Sequence, residues 1–226
     1  MCLMPESALP AERPLRRDAE RNRQRILDAA RVVFAERGLN GSHDDIAREA
    51  GVGVGTVYRR FPDKEQLIDA LFEARIEEIA DVARAAAEHA DPWEALVGFL
   101  MRTQELQSAD RGLKEILLSG ARGTERAVAA RSLITPLVAR VLQRAQDAGV
   151  VRSDIELTDI PLIQLAIGTI AESSRDVAPD VWRRMMTIVV DGLRAECARS
   201  ELVPPALDRD QSDSVLACYG ASRRRA

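Results

Sequence analysis

A chain of 226 residues, 46% hydrophobic but only 4% aromatic and rich in alanine, leucine, arginine and glutamate, can fill one large or two modest helical domains. It has no apolar run of the ~18 residues a membrane span needs, and residues 1–20 are too polar for a signal peptide, so a cytoplasmic protein is expected. The net charge of −4 hides an asymmetry: residues 13–60 hold eleven arginines against seven acids, so a basic module that could meet a polyanion precedes an acidic remainder.

Residues 1–17, with three prolines and no apolar period, read as a flexible arm. From Arg21 a stripe of Ile26, Leu27, Ala30, Val33 and Phe34 predicts a helix that Gly38 stops. Ser42 is placed as the next N-cap, with Asp45 as its reciprocal acid and His43 as a surface residue at the helix start. Ile46, Ala47 and Ala50 face inward before Gly51-Val52-Gly53 breaks that helix. A second short helix runs to Phe61, where Pro62 blocks continuation. Asp63 caps a long helix to about Ala87, carrying Leu67, Ile68, Leu71, Phe72, Ile76 and Ile79 on one side. After Asp91-Pro92, amphipathic helices are expected at 93–108, 110–121, 123–148, 157–174 and 178–199. Residues 201–226 read as a flexible tail. No strand alternation competes, so the fold class is all-α.

Two short helices joined by a glycine turn form a helix-turn-helix, which presents its second helix. Val54, Val57, Tyr58 and Phe61 fall on a face that can pack inward, with the Tyr58 hydroxyl at the border. Gly55, Thr56, Arg59 and Arg60 fall on the other. Guanidinium forks suit guanine edges or phosphates, threonine a thymine methyl or a phosphate, and glycine a close backbone approach. Lys64 opposes the macrodipole in the first turn of its helix, which makes sense if a phosphate sits there; the alternative is a surface lysine compensated by Glu65.

The stretches "RILDAARVVFAERG" and "DDIAREAGVGVGTVYRRFPDKEQL" resemble the DNA-binding domain of the TetR (tetracycline-repressor-like) transcriptional regulators. The resemblance implies an all-helical homodimer whose three N-terminal helices bind DNA, followed by a larger helical domain that dimerises and encloses an effector pocket. Carried onto this sequence, the family's DNA contacts fall on Ser42, Val54, Gly55, Thr56, Tyr58, Arg60 and Lys64, and the helix face adds Arg59. The expected organisation is an arm at 1–17, a DNA-binding domain at 18–64, an effector-binding and dimerisation domain at 65–200, and a tail at 201–226.

No GxSxG, Walker or HExxH motif occurs, and Glu105 and Glu115 lie on polar helix faces, so no enzyme, cofactor or metal is expected. Cys2, Cys197 and Cys218 lack a CxxC pair, and His43 and His89 are too few for a histidine metal cluster. "IPLIQLAIGTIAESS" is apolar nearly all round and must be buried on more than one side, while "VWRRMMTIVVDGLR" carries one broad apolar stripe. In the resembled family the last two long helices pair across a two-fold axis. That places a dimer seam at Ile163, Ile167, Ile170, Met185, Ile188 and Val189; an intramolecular core is the alternative. Phe72, Trp93, Leu96, Phe99, Leu100, Thr103, Leu117 and Gln164 could line an effector pocket or be plain core, and the Gln164 amide needs a partner in protein, water or effector. "DPWEALVGFL" and "DRGLKEILL" resemble a subgroup of the same family. The expected function is a repressor that binds a palindromic DNA operator as a homodimer and is released by a small apolar or aromatic effector. The rival is a helical small-molecule-binding or scaffolding protein with a vestigial DNA head.

Overall fold

The computed structural model describes residues 12–109 and 123–222. The described elements are α1 (Glu12–Arg37), a 3-10 turn (Gly38–Asn40), α2 (His43–Ala50), α3 (Val54–Arg60), α4 (Lys64–Glu88) and α5 (Pro92–Ala109). They continue with α6 (Gly123–Asp147), α7 (Asp159–Ser173), α8 (Val181–Gly192), a second 3-10 turn (Ala195–Cys197) and α9 (Arg209–Ser222). The fold is all-α, and among the described residues the β pairing is an isolated Val151–Arg194 bridge. The expected helix at 110–121 lies outside the described residues. The chain forms two compact units, divided inside α4 between Leu71 and Phe72.

In the first unit, α1 packs on α2 and α2 on α3. The stripe Ile26, Leu27, Ala30, Val33 and Phe34 is buried, as are Ile46, Ala47, Val57 and Phe61. α1 begins at Glu12, well before Arg21, so residues 12–17 are helical and not part of an arm. Pro14 does not prevent this, because the N–H groups of a first helical turn have no intrahelical acceptor. Gly41 lets α2 approach α1: a Cβ there would lie 2.7 Å from Val33 Cγ1 and 3.1 Å from Phe34 Cδ1.

In the second unit α5 packs against α6, α7 and α8, and α7 packs against α8. Trp93, Leu96, Phe99 and Leu100 share one apolar core with Val141, Leu142, Ile160, Ile167, Trp182 and Met186. Arg144 closes the C-terminus of α4, donating to the carbonyls of Ala87 and, at 2.8 Å, His89. The Arg194 guanidinium lies 3.9 Å over the Trp93 ring.

Two expectations are corrected here. The helix expected at 178–199 ends at Gly192, because the backbone beyond it is captured by residues 150–152: Arg152 N donates to Leu193 O at 3.0 Å and Ala195 N to Val150 O at 3.2 Å. The expected tail contains α9. Asp208 and Gln211 cap it reciprocally, with Gln211 N donating to Asp208 Oδ1 at 2.8 Å and Asp208 N to Gln211 Oε1 at 3.0 Å. α9 packs on α7 with Ser212 buried, and Thr158 Oγ1 donates to Leu207 O at 2.8 Å.

Candidate nucleic-acid interface

The reading head is built from its caps. Asp45 N donates to Ser42 Oγ at 3.1 Å, and Asp45 Oδ2 accepts from the Ser42 hydroxyl at 2.7 Å and the Ser42 N–H at 3.2 Å. Asp45 Oδ1 also takes Arg37 at 2.7 Å and Arg48 at 3.1 Å. The Ser42 side-chain hydrogen bond, then its backbone bond, with the arginines adding, lower the Asp45 carboxyl from 3.8 to about 2. The cap therefore stays charged at neutral pH.

α2 ends on Gly51 in the left-handed conformation (φ 61), with Val52 N donating to Ala47 O at 3.0 Å. Arg25 of α1 reaches across to Ala50 O at 2.7 Å and fixes that end. Gly53 starts α3, whose Val57 and Phe61 anchor it in the core.

The opposite side of α3 is open. Gly55, Arg59 and Arg60 are exposed and Thr56 half-exposed; nothing lies within 4 Å of a Cβ built at Gly55. Arg59 Nη2 donates to Thr56 Oγ1 at 3.4 Å, so these two polar groups form one patch. Val54 and Tyr58, read as able to pack inward, are 41% and 49% exposed and join that surface. A seven-residue helix anchored at Val57 and Phe61 leaves them no room in the core.

His43 corrects a second expectation. It is buried, not a surface residue; its Nε2 donates to Phe61 O at 3.0 Å and its ring stacks on Tyr58 at 4.6 Å and 10°. The carbonyl can only accept, so Nε2 carries the proton. His43 thus ties the start of α2 to the end of α3 and sets the plane of the exposed Tyr58 ring.

Lys64 opens α4 half-buried, its Nζ 6.0 Å from the Phe34 ring centroid. Asp63 Oδ1 accepts from Gln66 N at 2.8 Å and caps this helix as expected. Ser42, Val54, Gly55, Thr56, Tyr58, Arg59, Arg60 and Lys64 all belong to one compact unit. The Ser42 hydroxyl is engaged in the cap, and a phosphate there would have to share it.

The residues singled out in the second unit fare differently. Trp93, Leu96, Phe99, Leu100 and Thr103 are buried, with Gln164 donating through Nε2 to Leu100 O at 2.9 Å and Thr103 Oγ1 at 2.7 Å. Phe72 is buried, and Leu117 lies outside the described residues. Surface hollows of about 380 and 220 Å³ are lined by other residues, such as Arg152 and Asp154 in one and Gln143 and Gln146 in the other. Ile167 is not on an outer seam: it shares the inward face of α7 with Ile160, Gln164 and Ala171. Ile163, Ile170, Met185 and Val189 pack half-buried on the core, and Ile188 is 55% exposed. Among the described residues no acidic, histidine or cysteine cluster could hold a metal, and no helix is long and apolar enough to cross a membrane.

Residues 26–71 match the family described as bacterial regulatory proteins, tetR family, and residues 91–195 match that described as transcriptional regulator SbtR-like, C-terminal domain. The chain is 30% identical over 168 residues to the HTH-type transcriptional regulator UidR of Escherichia coli K12, covering 69% of this chain and 83% of that protein. It is similar to the crystal structure of a TetR transcription regulatory protein from Mycobacterium vanbaalenii, at 36% identity and TM-score 0.65, covering 80% of this chain and 99% of the other. A TetR transcriptional regulator from Streptomyces coelicolor is 33% identical with TM-score 0.63, covering 76% of this chain and 98% of that one.

Proposed function

This chain belongs to the TetR family of DNA-binding transcriptional regulators, and from that premise we propose that it is a repressor that binds a palindromic operator as a homodimer and leaves it when a small molecule binds. The observation that carries the DNA end is the open face of α3, where Gly55, Thr56, Arg59 and Arg60 stand clear of the core. Tyr58, Val54, Ser42 and Lys64 extend that face as backbone-positioning contacts. Occupying the operator blocks transcription sterically, so no catalytic chemistry is required of the chain.

One seven-residue helix makes too few contacts to select an operator among genomic competitors. Two heads about 34–36 Å apart would read both halves of a palindrome from one side of the duplex. The exposed Ile188, with the half-buried Met185, Val189, Ile163 and Ile170 on the same two helices, supports a two-fold seam along α7 and α8. The surroundings of Trp93, Leu96, Phe99 and Leu100 favour an apolar or aromatic effector. α4 contributes residues to both compact units, so a ligand that shifts α4 would change the separation of the two heads.

The competing reading, a helical binding protein with a vestigial head, predicts no salt-dependent DNA affinity. The test is fluorescence anisotropy with duplex DNA from upstream of the chain's own gene, titrated across salt. The wild type should bind with a steep salt slope, and the Arg59→Ala/Arg60→Ala/Lys64→Ala protein should lose about 0.9 of slope per phosphate contact removed. Thr56→Ala should change sequence preference more than slope. Equal operator affinity of the triple variant and the wild type would reject the reading.

A further inference from the structure

Two glutamines meet at the crossing of α5 and α7, and neither has its acceptor used. Gln104 is fully buried and Gln164 is 7% exposed. The Oε1 atoms of both are shut off from solvent and accept no hydrogen bond. The amides serve the same helix crossing: Gln164 reaches from α7 to Leu100 O and Thr103 Oγ1 of α5, and Gln104 of α5 lies over Gly168 of α7, its Nε2 3.6 Å from where a Cβ would stand.

The orientation of Gln164 is fixed. Leu100 O accepts only, so the amide nitrogen must face it and the oxygen must face away. Thr103 cannot serve that oxygen, because its hydroxyl donates to Phe99 O at 2.7 Å. Gln104 donates to Ser108 Oγ at 3.2 Å; turning its amide over would strand the NH2 group instead. Buried carbonyl oxygens almost always find a donor, and one left without costs more than an ordinary hydrogen bond returns. Both such oxygens belong to side chains that serve the α5–α7 crossing, beside an apolar core.

We infer that the α5–α7 crossing is the recognition point for the effector and that it selects a neutral apolar molecule bearing a hydroxyl or N–H donor. The inference rests on the effector-regulated reading above and narrows it to a chemical class. An ionised carboxylate is disfavoured, since it brings no donor and would set its charge against an amide oxygen. A matched ether, ester or N-methyl compound keeps the same apolar body, brings no donor and would leave these oxygens unmet.

The test uses the full chain with matched probes: 1-naphthol against 1-methoxynaphthalene, and indole against 1-methylindole. Affinity is measured by calorimetry and DNA release by anisotropy. The donor-bearing member of each pair should bind the wild type about tenfold more tightly, a difference of one well-made buried hydrogen bond. Gln164→Met should reduce that preference to about twofold or less, and Gln104→Met should weaken it, while the methylated probes bind all three proteins alike. The wild-type preference needs no variant, so a misfolded substitution does not protect the inference. Equal binding within the pairs, no binding of either donor probe at millimolar concentration, or an unchanged preference in Gln164→Met would overturn it. Donor-selective binding that leaves DNA affinity unchanged would uphold this site and reject the regulatory reading. DNA release without donor preference would do the reverse.

Discussion

At Asp45 one carboxylate closes a capping box with Ser42 and holds Arg37 and Arg48, so a single side chain secures the entry to α2 and its attachment to the end of α1. Its carboxyl sits at about 2, below the ordinary 3.8. A depressed carboxylate adds stability that is present above the unfolded value and lost as pH falls through the folded one. Asp45→Asn should therefore destabilise the protein at neutral pH, and its difference from wild type should shrink between roughly pH 4 and 2; urea melts across that range measure it. Ser42→Ala removes the same cap from the other side and should cost about 1 kcal/mol at pH 7. His43 does a different task at this scale. The Phe61 carbonyl and the Tyr58 ring fix it from two directions, so its replacement would disturb an exposed aromatic ring through a buried contact.

At the scale of elements, the glycines that bound α2 are of two kinds. Gly51 is required for its backbone, at φ 61, and a Cβ there would also press on Arg25 Nη2 at 3.3 Å. Gly51→Ala should lose about 1 kcal/mol or more, and the Arg25 bond to Ala50 O should loosen with it. Gly41 is required for its size, and Gly41→Ala should cost about 1–3 kcal/mol by forcing Val33 and Phe34 aside. Thermal or urea denaturation reads both.

The Ser42 cap, the Gly51 break, the Pro62 stop and the Asp63 cap were legible because each depends on residues a few positions apart. The stripe of α1 was legible for the same reason. The cap of α9 has the spacing of the Ser42 cap, but it lies among polar residues with no long apolar stripe behind it, so the pattern of a tail dominated. The outward placement of Val54 and Tyr58 was not legible, because seven residues are too few for periodicity to fix a helix face. The embrace of His43 by Phe61, and of Gln104 by α7, joins residues far apart in the chain, and local sequence carries no record of it.

For the molecule as a whole, the proposed dimer turns on the outer face of α8. Ile188 is the large apolar side chain on α8 that the core leaves 55% exposed, and it lies beside Met185 and Val189. Ile188→Asp should bury an unpaired charge in the two-fold seam and split it. Sedimentation at micromolar concentration should then give half the wild-type mass, circular dichroism should remain helical, and operator affinity should fall about 100-fold or more as one head is left to bind alone. A variant that still sediments with the wild type would move the seam off α8.

The exposed stretch at residues 201–206 makes α9 a leashed piece, not a fused one. A leash of this length keeps a docked segment at an effective concentration in the millimolar range, so even a narrow contact with α7 stays made. Cutting it would turn a first-order docking into a second-order one, and at micromolar protein the helix would drift away. One protease nick between Glu201 and Ala206 would thus uncover Thr158 and the start of α7. An affinity handle fused after Ser222 would leave with the fragment, and the larger piece would be lost in the flow-through.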